Sequence, residues 1–264
     1  MEILKLFITK FFKNNLLFQS AQNAFYFILS IFPFLYILMR IFTHIPMPSG
    51  NVLKGIEILF PPQALTVIYT TLNSATYTST SSHSVTYILI ALWSSSMLIY
   101  SLKSAFFTFY DYTPQKGKII TRILSVALTA FILIAIFLTL IIILIANLTI
   151  NIITKQLGIN YSPVLLSAIS LILIIFDIVL LYVILPPIRI KISKAFPGAV
   201  ATVISLTIFS YGFSYYVKYI ADYSRMYGRI GSVITLLLWF YICLITILSG
   251  GLLNSILFSK KDTP

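Results

Sequence analysis

The sequence predicts an all-α integral membrane protein with about six transmembrane helices. Of the 264 residues, 59% are hydrophobic and only 9% are charged, which is outside the range of ordinary soluble domains. The apolar residues are gathered in runs of about 20, the length at which a helix crosses a hydrocarbon core of about 30 Å. Lys and Arg fall in the short connections, as is typical of multi-pass membrane proteins. We therefore expect a single polytopic domain over residues 1–264.

The amino-terminal segment, about residues 3–18, is predicted to be an amphipathic helix that lies in the headgroup plane. Its apolar residues alternate with Lys5, Lys10 and Lys13. Such a pattern turns lysines toward anionic lipid. The same lysines interrupt the apolar core that a cleavable secretion signal needs, so we expect this segment to stay attached.

Six apolar runs are long enough to cross a bilayer. They cover about residues 24–42, 85–107, 123–146, 164–185, 197–216 and 230–257. Pro33, near the middle of the first run, predicts a kink because it lacks a backbone donor and crowds the preceding turn. Pro197 and Gly198 are predicted to open the fifth helix, since a first turn tolerates proline. Residues 52–60 and 64–72, in the first outer loop, are predicted to form short interfacial helices.

The last apolar run carries a face of residues at helical spacing. This face comprises Thr235, Trp239, Cys243, Thr246, Gly250 and Asn254. In lipid, close approach at small residues and interhelical hydrogen bonds drive helix association, so this face predicts contact with another helix. Gly228 and Gly231, near the start of the run, are further helix-packing or hinge candidates. Cys243 is the single cysteine, which excludes a disulfide within one chain.

The charge distribution predicts the orientation of the chain. Of the 18 Lys and Arg residues, 12 fall on the side of both termini. By the positive-inside bias, both termini are therefore predicted to be cytoplasmic. The net charge of +12 is spread through short connections, which membrane orientation explains without a nucleic-acid partner. Three of the other six cations cluster in one outer connection: Lys218, Arg225 and Arg229.

Short motifs occur in a characteristic order along the chain. They are Ala24-Phe25-Tyr26, Phe32-Pro33, Leu92-Trp93-Ser94-Ser95-Ser96, Leu185-Pro186, Phe196-Pro197-Gly198-Ala199, Tyr223-Ser224, Tyr227-Gly228, Gly231-Ser232 and Leu237-Leu238-Trp239. This series resembles the YihY/BrkB family of bacterial inner-membrane proteins, once labelled ribonuclease BN. The resemblance implies six helices in the bacterial cytoplasmic membrane and a role in envelope integrity, serum resistance or lipid movement. The family typically carries Gly-Ala-Glu-Leu-Asn near the end of the last helix, where this chain has Leu252 at the acidic position.

Charged residues in or near the apolar runs suggest a transporter or flippase-like protein for an anionic lipid or amphiphile. A charge at the bilayer centre costs about 2.5 to 3.5 kcal/mol on insertion scales, so Asp177 is expected to be paired, most simply with Lys103. Lys218, Arg225 and Arg229 are expected to form an outward-facing anion site. The alternative is an envelope scaffold that transports nothing, and it predicts no continuous polar cavity between the helices.

An enzyme is not expected. A metal-assisted nuclease needs carboxylates or histidines that converge on an ion. The six acidic residues and the two histidines, His44 and His83, are spread over both faces and the membrane interior in the predicted topology. We therefore expect no catalytic residue, metal or cofactor. The expected partners are membrane lipids with anionic headgroups and, in a homo-oligomer, further copies of the chain.

Overall fold

The computed structural model is helical in the parts of the chain that it describes. These are residues 2–43, 84–113, parts of 125–150, 162–220 and 229–261. The helices are α1 (Glu2–Lys13), α2 (Leu16–Thr43), α3 (Ser84–Phe109), α4 (Ser162–Ile184), α5 (Ile192–Tyr219) and α6 (Arg229–Lys261). No strand occurs in the described ranges, so the all-α prediction is confirmed for them.

Three helical stretches within the described residues are long and apolar enough to cross a membrane. They are Leu165–Ile184, Ile192–Tyr219 and Val233–Leu257. A shorter apolar helix runs over Ala127–Ile143. The count of six spans stays a prediction. The proposed interfacial helices at 52–60 and 64–72 lie outside the described residues.

The first two helices meet at a sharp turn that was not predicted. α1 ends at Lys13, five residues before the predicted end at 18, and α2 starts at Leu16 rather than near residue 24. Asn15 adopts a left-handed backbone with φ of 49°. Asparagine tolerates this conformation better than most residues, so the chain can reverse there within two residues. α2 is therefore 28 residues long and begins with a polar stretch.

The predicted start of the fifth helix at Pro197 is wrong. α5 begins at Ile192, so Pro197 is its sixth residue. The turn before the proline forms because the amides of Lys194 and Ala195 both donate to the carbonyl of Lys191. Pro197 removes the single bond that its own nitrogen would have made to the carbonyl four residues earlier. α2, in contrast, runs through Pro33 as one helix.

α6 lies at the centre of the described helices. It packs against α5, α2, α3 and α1, while α2 also packs along α3 and α4 along α5. Leu248 and Leu252 of α6 are 0% exposed. Leu252, at the position where the family has an acid, is thus a core residue. The outer surfaces of α4 and α5 expose Phe176 and Ile208, which suits contact with lipid.

The predicted contact face of the last helix is confirmed. All six of its members are buried: Thr235, Trp239, Cys243, Thr246, Gly250 and Asn254. The indole of Trp239 donates to Ser210 Oγ of α5 at 3.3 Å. Farther along, Gly250 lies so close to Gly198 that a Cβ built on Gly250 would be 2.7 Å from the Gly198 carbonyl oxygen. Small residues therefore set the spacing between α5 and α6.

Candidate functional site: a polar crevice between α2 and α3

A cavity of about 560 Å³ opens beside the start of α2 and the end of α3. We call it the crevice. Its lining comprises Lys13, Asn14, Asn15, Phe18, Gln19, Gln22, Tyr26, Met97, Tyr100, Ser101, Ser104, Ala105 and Thr108. Most of these side chains are polar, although they belong to helices that are otherwise apolar. The crevice therefore offers hydrogen bonds beside the predicted membrane boundary.

Two helical faces build the crevice. The α2 face has lining residues at 19, 22 and 26, and the α3 face has them at 97, 101, 104 and 108. Steps of three or four residues place the members of each series on one side of a helix. Tyr26 lies ten residues beyond the start of α2, so the lining extends about 15 Å along the helix.

The amide of Gln19 in the lining and the buried amide of Asn23 next to it each donate to a backbone carbonyl. Gln19 Nε2 donates to the Asn14 carbonyl at 3.0 Å, and Asn23 Nδ2 donates to the Gln19 carbonyl at 2.7 Å. Among the described residues, Gln19 Oε1 and Asn23 Oδ1 are buried and accept no hydrogen bond. Native proteins pair most buried polar atoms. Of these two residues, Gln19 lines the crevice and Asn23 does not, so Gln19 Oε1 is the oxygen that suits a group donating O–H or N–H in the crevice.

The charge at the crevice is positive. Lys13 is the one charged residue among the described residues of the lining. The nearest turn of α1 also carries Lys10, whose Nζ lies 3.8 Å from Asp111 Oδ2. This ion pair neutralises the carboxylate that follows α3. Burial also raises the pKa of the Tyr110 phenol, so that residue is neutral at cellular pH.

An exposed apolar surface adjoins the crevice. Phe18 and Phe25 of α2 are 73% and 55% exposed, and Trp93 of α3 is 62% exposed. In water, an apolar surface of this kind would be unfavourable. In a bilayer it can contact acyl chains. The side of the α2–α3 pair is thus amphipathic, with a polar recess next to an aromatic surface.

The structure gives Asp177 a different partner from the predicted Lys103. Thr139 Oγ1, in the apolar helix that precedes α4, donates to Asp177 Oδ1 at 3.1 Å. Lys103 is buried on α3, and its Nζ lies 5.7 Å from the centre of the Phe107 ring, within cation–π range. Neither Asp177 nor Lys103 lines the crevice. Sequence alone does not show that Thr139 and Asp177, 38 residues apart on different helices, face each other.

Replacing Thr139 by Val should destabilise the protein by about 1–2 kcal/mol, because the carboxylate of Asp177 loses a hydrogen bond inside the bundle. In an Asp177→Leu background the same change should cost little. Thermal unfolding in detergent should show a decrease of about 4 °C in the first case. Lys103→Met, alone and combined with Asp177→Leu, is the control. If the effect of Lys103→Met depends on Asp177 and the effect of Thr139→Val does not, the predicted pair of Lys103 and Asp177 is correct and the Thr139 bond is unimportant.

The predicted outward-facing cations are only partly described. Lys218 lies exposed in the last turn of α5, with Nζ 4.9 Å from the centre of the Tyr219 ring. A cation is favourable at this end of a helix. Arg229 is the first residue of α6, whereas Arg225 and Gly228 lie outside the described residues. Gly231 is buried in the first turn of α6. The anion site that these cations would form stays a prediction.

The described residues contain no group of three or more His, Cys, Asp or Glu side chains that could hold a metal ion. His44 and His83 lie outside the described residues.

Comparison with known proteins places these features in a family context. The sequence model described as virulence factor BrkB matches residues 7–263. The ribonuclease-like protein YfkH of Bacillus subtilis (strain 168) is 29% identical over 260 residues, which cover 93% of this chain and 91% of that protein. A UPF0761 membrane protein of Xanthomonas campestris pv. campestris (strain B100) is 33% identical over 87 residues, or 33% of this chain and 20% of that protein. No solved structure matches the chain.

Proposed function

Because the chain belongs to the virulence factor BrkB family, which includes membrane proteins among its relatives, we propose that it is a transporter or flippase-like protein for an anionic lipid or amphiphile. The observation that carries this proposal is the crevice: a polar recess with one cation, next to an exposed aromatic surface. A lipid likewise has a polar headgroup next to apolar acyl chains. We further propose that the protein acts in the bacterial cytoplasmic membrane with both termini cytoplasmic.

The crevice lowers the cost of bringing a headgroup toward the hydrocarbon. A polar group that leaves water without new hydrogen bonds loses several kcal/mol. Ser101, Ser104 and Thr108 offer hydroxyl groups on α3, and Gln22 offers an amide on α2. These groups replace water along about 15 Å of helix. Meanwhile, acyl chains can stay against Phe25 and Trp93, which face outward.

A second anion site on the opposite side of the membrane completes this proposal. Lys218, Arg225 and Arg229 would bind the headgroup there, and the amino-terminal end of α6 would also attract an anion. Arg suits this role because its guanidinium forms two parallel bonds with a phosphate. Asp177 and Lys103 would then be charges within the bundle that interact with the lipid headgroup as it passes.

A nuclease is a weaker proposal, although the name of YfkH contains the term ribonuclease-like. Hydrolysis of RNA would need acids, bases or metal ligands around one reacting phosphate. The polar groups of the crevice are amides, hydroxyls and a lysine. They suit the binding of a phosphate better than its hydrolysis.

Protein reconstituted into vesicles should speed the movement of a fluorescent anionic phospholipid between leaflets, measured by dithionite quenching of its headgroup label. Ser104→Phe should reduce this rate at least fivefold, because the ring occupies an exposed position of the crevice lining without entering the core. Replacing Arg225 and Arg229 together by Gln should also reduce movement of anionic lipid, without lowering thermal stability.

The matched control is Ala168→Phe, which adds the same ring at an exposed position of α4. It should leave the rate unchanged. Wild-type protein that is folded in the vesicles and moves no lipid faster than protein-free vesicles would contradict the transport proposal and favour the envelope scaffold.

A further inference from the structure

We propose that the crevice selects a lipid whose phosphodiester carries one negative charge and whose headgroup bears free hydroxyl groups, as in phosphatidylglycerol. The proposal deepens the proposed function, on which it rests for the membrane origin of the ligand. It concerns binding alone and holds whether or not the bound lipid is moved.

The first step is the charge. Lys13 stands at the rim of the crevice, and Lys10, one turn earlier, is already paired with Asp111 at 3.8 Å. The single positive charge of Lys13 balances the single negative charge of one phosphodiester. A headgroup with two phosphates would leave a negative charge without a partner in the recess, and a headgroup ammonium would be repelled by Lys13.

The second step is the excess of acceptors. Within the lining, the Gln19 amide donates to the Asn14 carbonyl at 3.0 Å, and Gln19 Oε1 is a buried acceptor without a hydrogen-bond partner. The Thr108 hydroxyl donates to the Ser104 carbonyl at 3.1 Å, so the oxygen of Thr108 also remains as an acceptor. A ligand that pairs with these acceptors must carry hydrogen-bond donors. Hydroxyl groups supply donors without adding the positive charge that Lys13 disfavours.

The third step is the position of the remaining donors. Ser101 is 8% exposed and lines the crevice together with Tyr26 and Tyr100. These hydroxyls can donate to phosphate oxygens together with Lys13. Bonds from donors to an anion are stronger than bonds between neutral groups. The cavity volume of about 560 Å³ falls in the range of small-molecule sites, roughly 300–1,000 Å³.

The test compares two lipids of equal charge, one whose headgroup has two free hydroxyls and one whose smaller headgroup has none. Full-length protein, stripped of lipid in detergent, is titrated with phosphatidylglycerol and with phosphatidylmethanol, and bound lipid is counted by native mass spectrometry. Both lipids carry one phosphodiester charge. We expect phosphatidylglycerol to bind about tenfold more tightly, the factor that two additional hydrogen bonds supply. Equal affinity for the two lipids would overturn the proposal.

Variants separate the charge from the hydroxyl recognition. Lys13→Gln should weaken binding of both lipids about fivefold or more. Gln22→Leu, at an exposed position of the lining, should reduce the preference for phosphatidylglycerol and leave phosphatidylmethanol nearly unchanged. Lys5→Gln is the control, because Lys5 is an exposed lysine of α1 outside the lining. An equal loss from Lys5→Gln and Lys13→Gln would show general attraction to a basic helix and overturn the site.

The final arm distinguishes a lipid from a water-soluble phosphodiester. Glycerophosphoglycerol, which has the same headgroup and no acyl chains, should compete only weakly. If it displaces phosphatidylglycerol at equal concentration, the ligand is a soluble compound and the membrane origin is wrong. Selective binding without movement between leaflets, in contrast, would overturn the proposed transport and leave this site intact.

Discussion

Replacing Gly250 by Val should leave little folded protein in detergent or membranes. A Cβ at Gly250 would lie 2.5 Å from the Tyr182 hydroxyl and 2.7 Å from the Gly198 carbonyl oxygen, and closer still to Thr202 Oγ1. Two of these neighbours are buried side chains and the third is backbone, so α5 and α6 would have to separate. We expect a loss of about 3 kcal/mol or more, seen as loss of the monodisperse peak in size-exclusion chromatography.

Gly212→Ala is the matched control for this prediction. Nothing lies within 4 Å of a Cβ built on Gly212, which is also inside a helix. Alanine favours a helix interior by about 1 kcal/mol over glycine, so this variant should be as stable as the wild type or more stable. Similar losses from Gly250→Val and Gly212→Ala would mean that the close contact of α5 and α6 is unimportant.

Replacing Asn254 by Leu should destabilise the protein by about 3 kcal/mol, the second largest effect that we expect. Asn254 Oδ1 accepts from the Gly198 amide at 2.8 Å, and Nδ2 donates to the Ala195 carbonyl at 2.9 Å. These two backbone groups lie on either side of Pro197, where the helix already lacks one bond. Leucine would remove both hydrogen bonds, at about 0.5–1.5 kcal/mol each, and would place a branched apolar side chain where the Asn254 amide fits closely against Gly198.

The measurement is thermal unfolding in detergent, where a decrease of roughly 6–12 °C is expected for Asn254→Leu. Ser249→Leu is the comparison, because it makes a polar residue apolar at a half-buried position of the same helix. An Asn254→Leu protein as stable as Ser249→Leu would show that the amide bridge to α5 contributes little.

The sequence allowed the helices to be predicted better than their ends. Apolar runs and helical spacing identified the buried face of α6, because packing in lipid leaves small and polar residues at fixed intervals. The start of α2 was placed too late because Gln19, Gln22 and Asn23 are polar and were taken to precede the helix. The start of α5 was placed too late because a proline in the first turn of a helix and a proline at its sixth residue cannot be distinguished in a single sequence.

The crevice was not predicted, although the spacing of its lining residues can be recognised in the sequence once the structure is known. Its polar residues lie at the ends of two helices that are far apart in sequence, and at a helix end each one alone suits the membrane boundary. What distinguishes them is the helical spacing of 19, 22 and 26 in one helix and of 97, 101, 104 and 108 in the other. Sequence spacing cannot show that these two faces oppose each other, because that depends on tertiary packing.

The Tyr182 hydroxyl joins three helices at one point. It shares a hydrogen bond of 2.7 Å with Thr202 Oγ1 of α5 and donates to the Ile247 carbonyl of α6 at 2.5 Å. The end of α4 is therefore fixed to α5 and α6, and we expect the three helices to behave as a single rigid frame. α1, by comparison, is tied to the end of α3 by an ion pair whose Asp111 side is 83% exposed. α1 also packs against α6. If the protein changes shape to admit a ligand, we expect α1 and the Asn14–Asn15 turn to move relative to this frame.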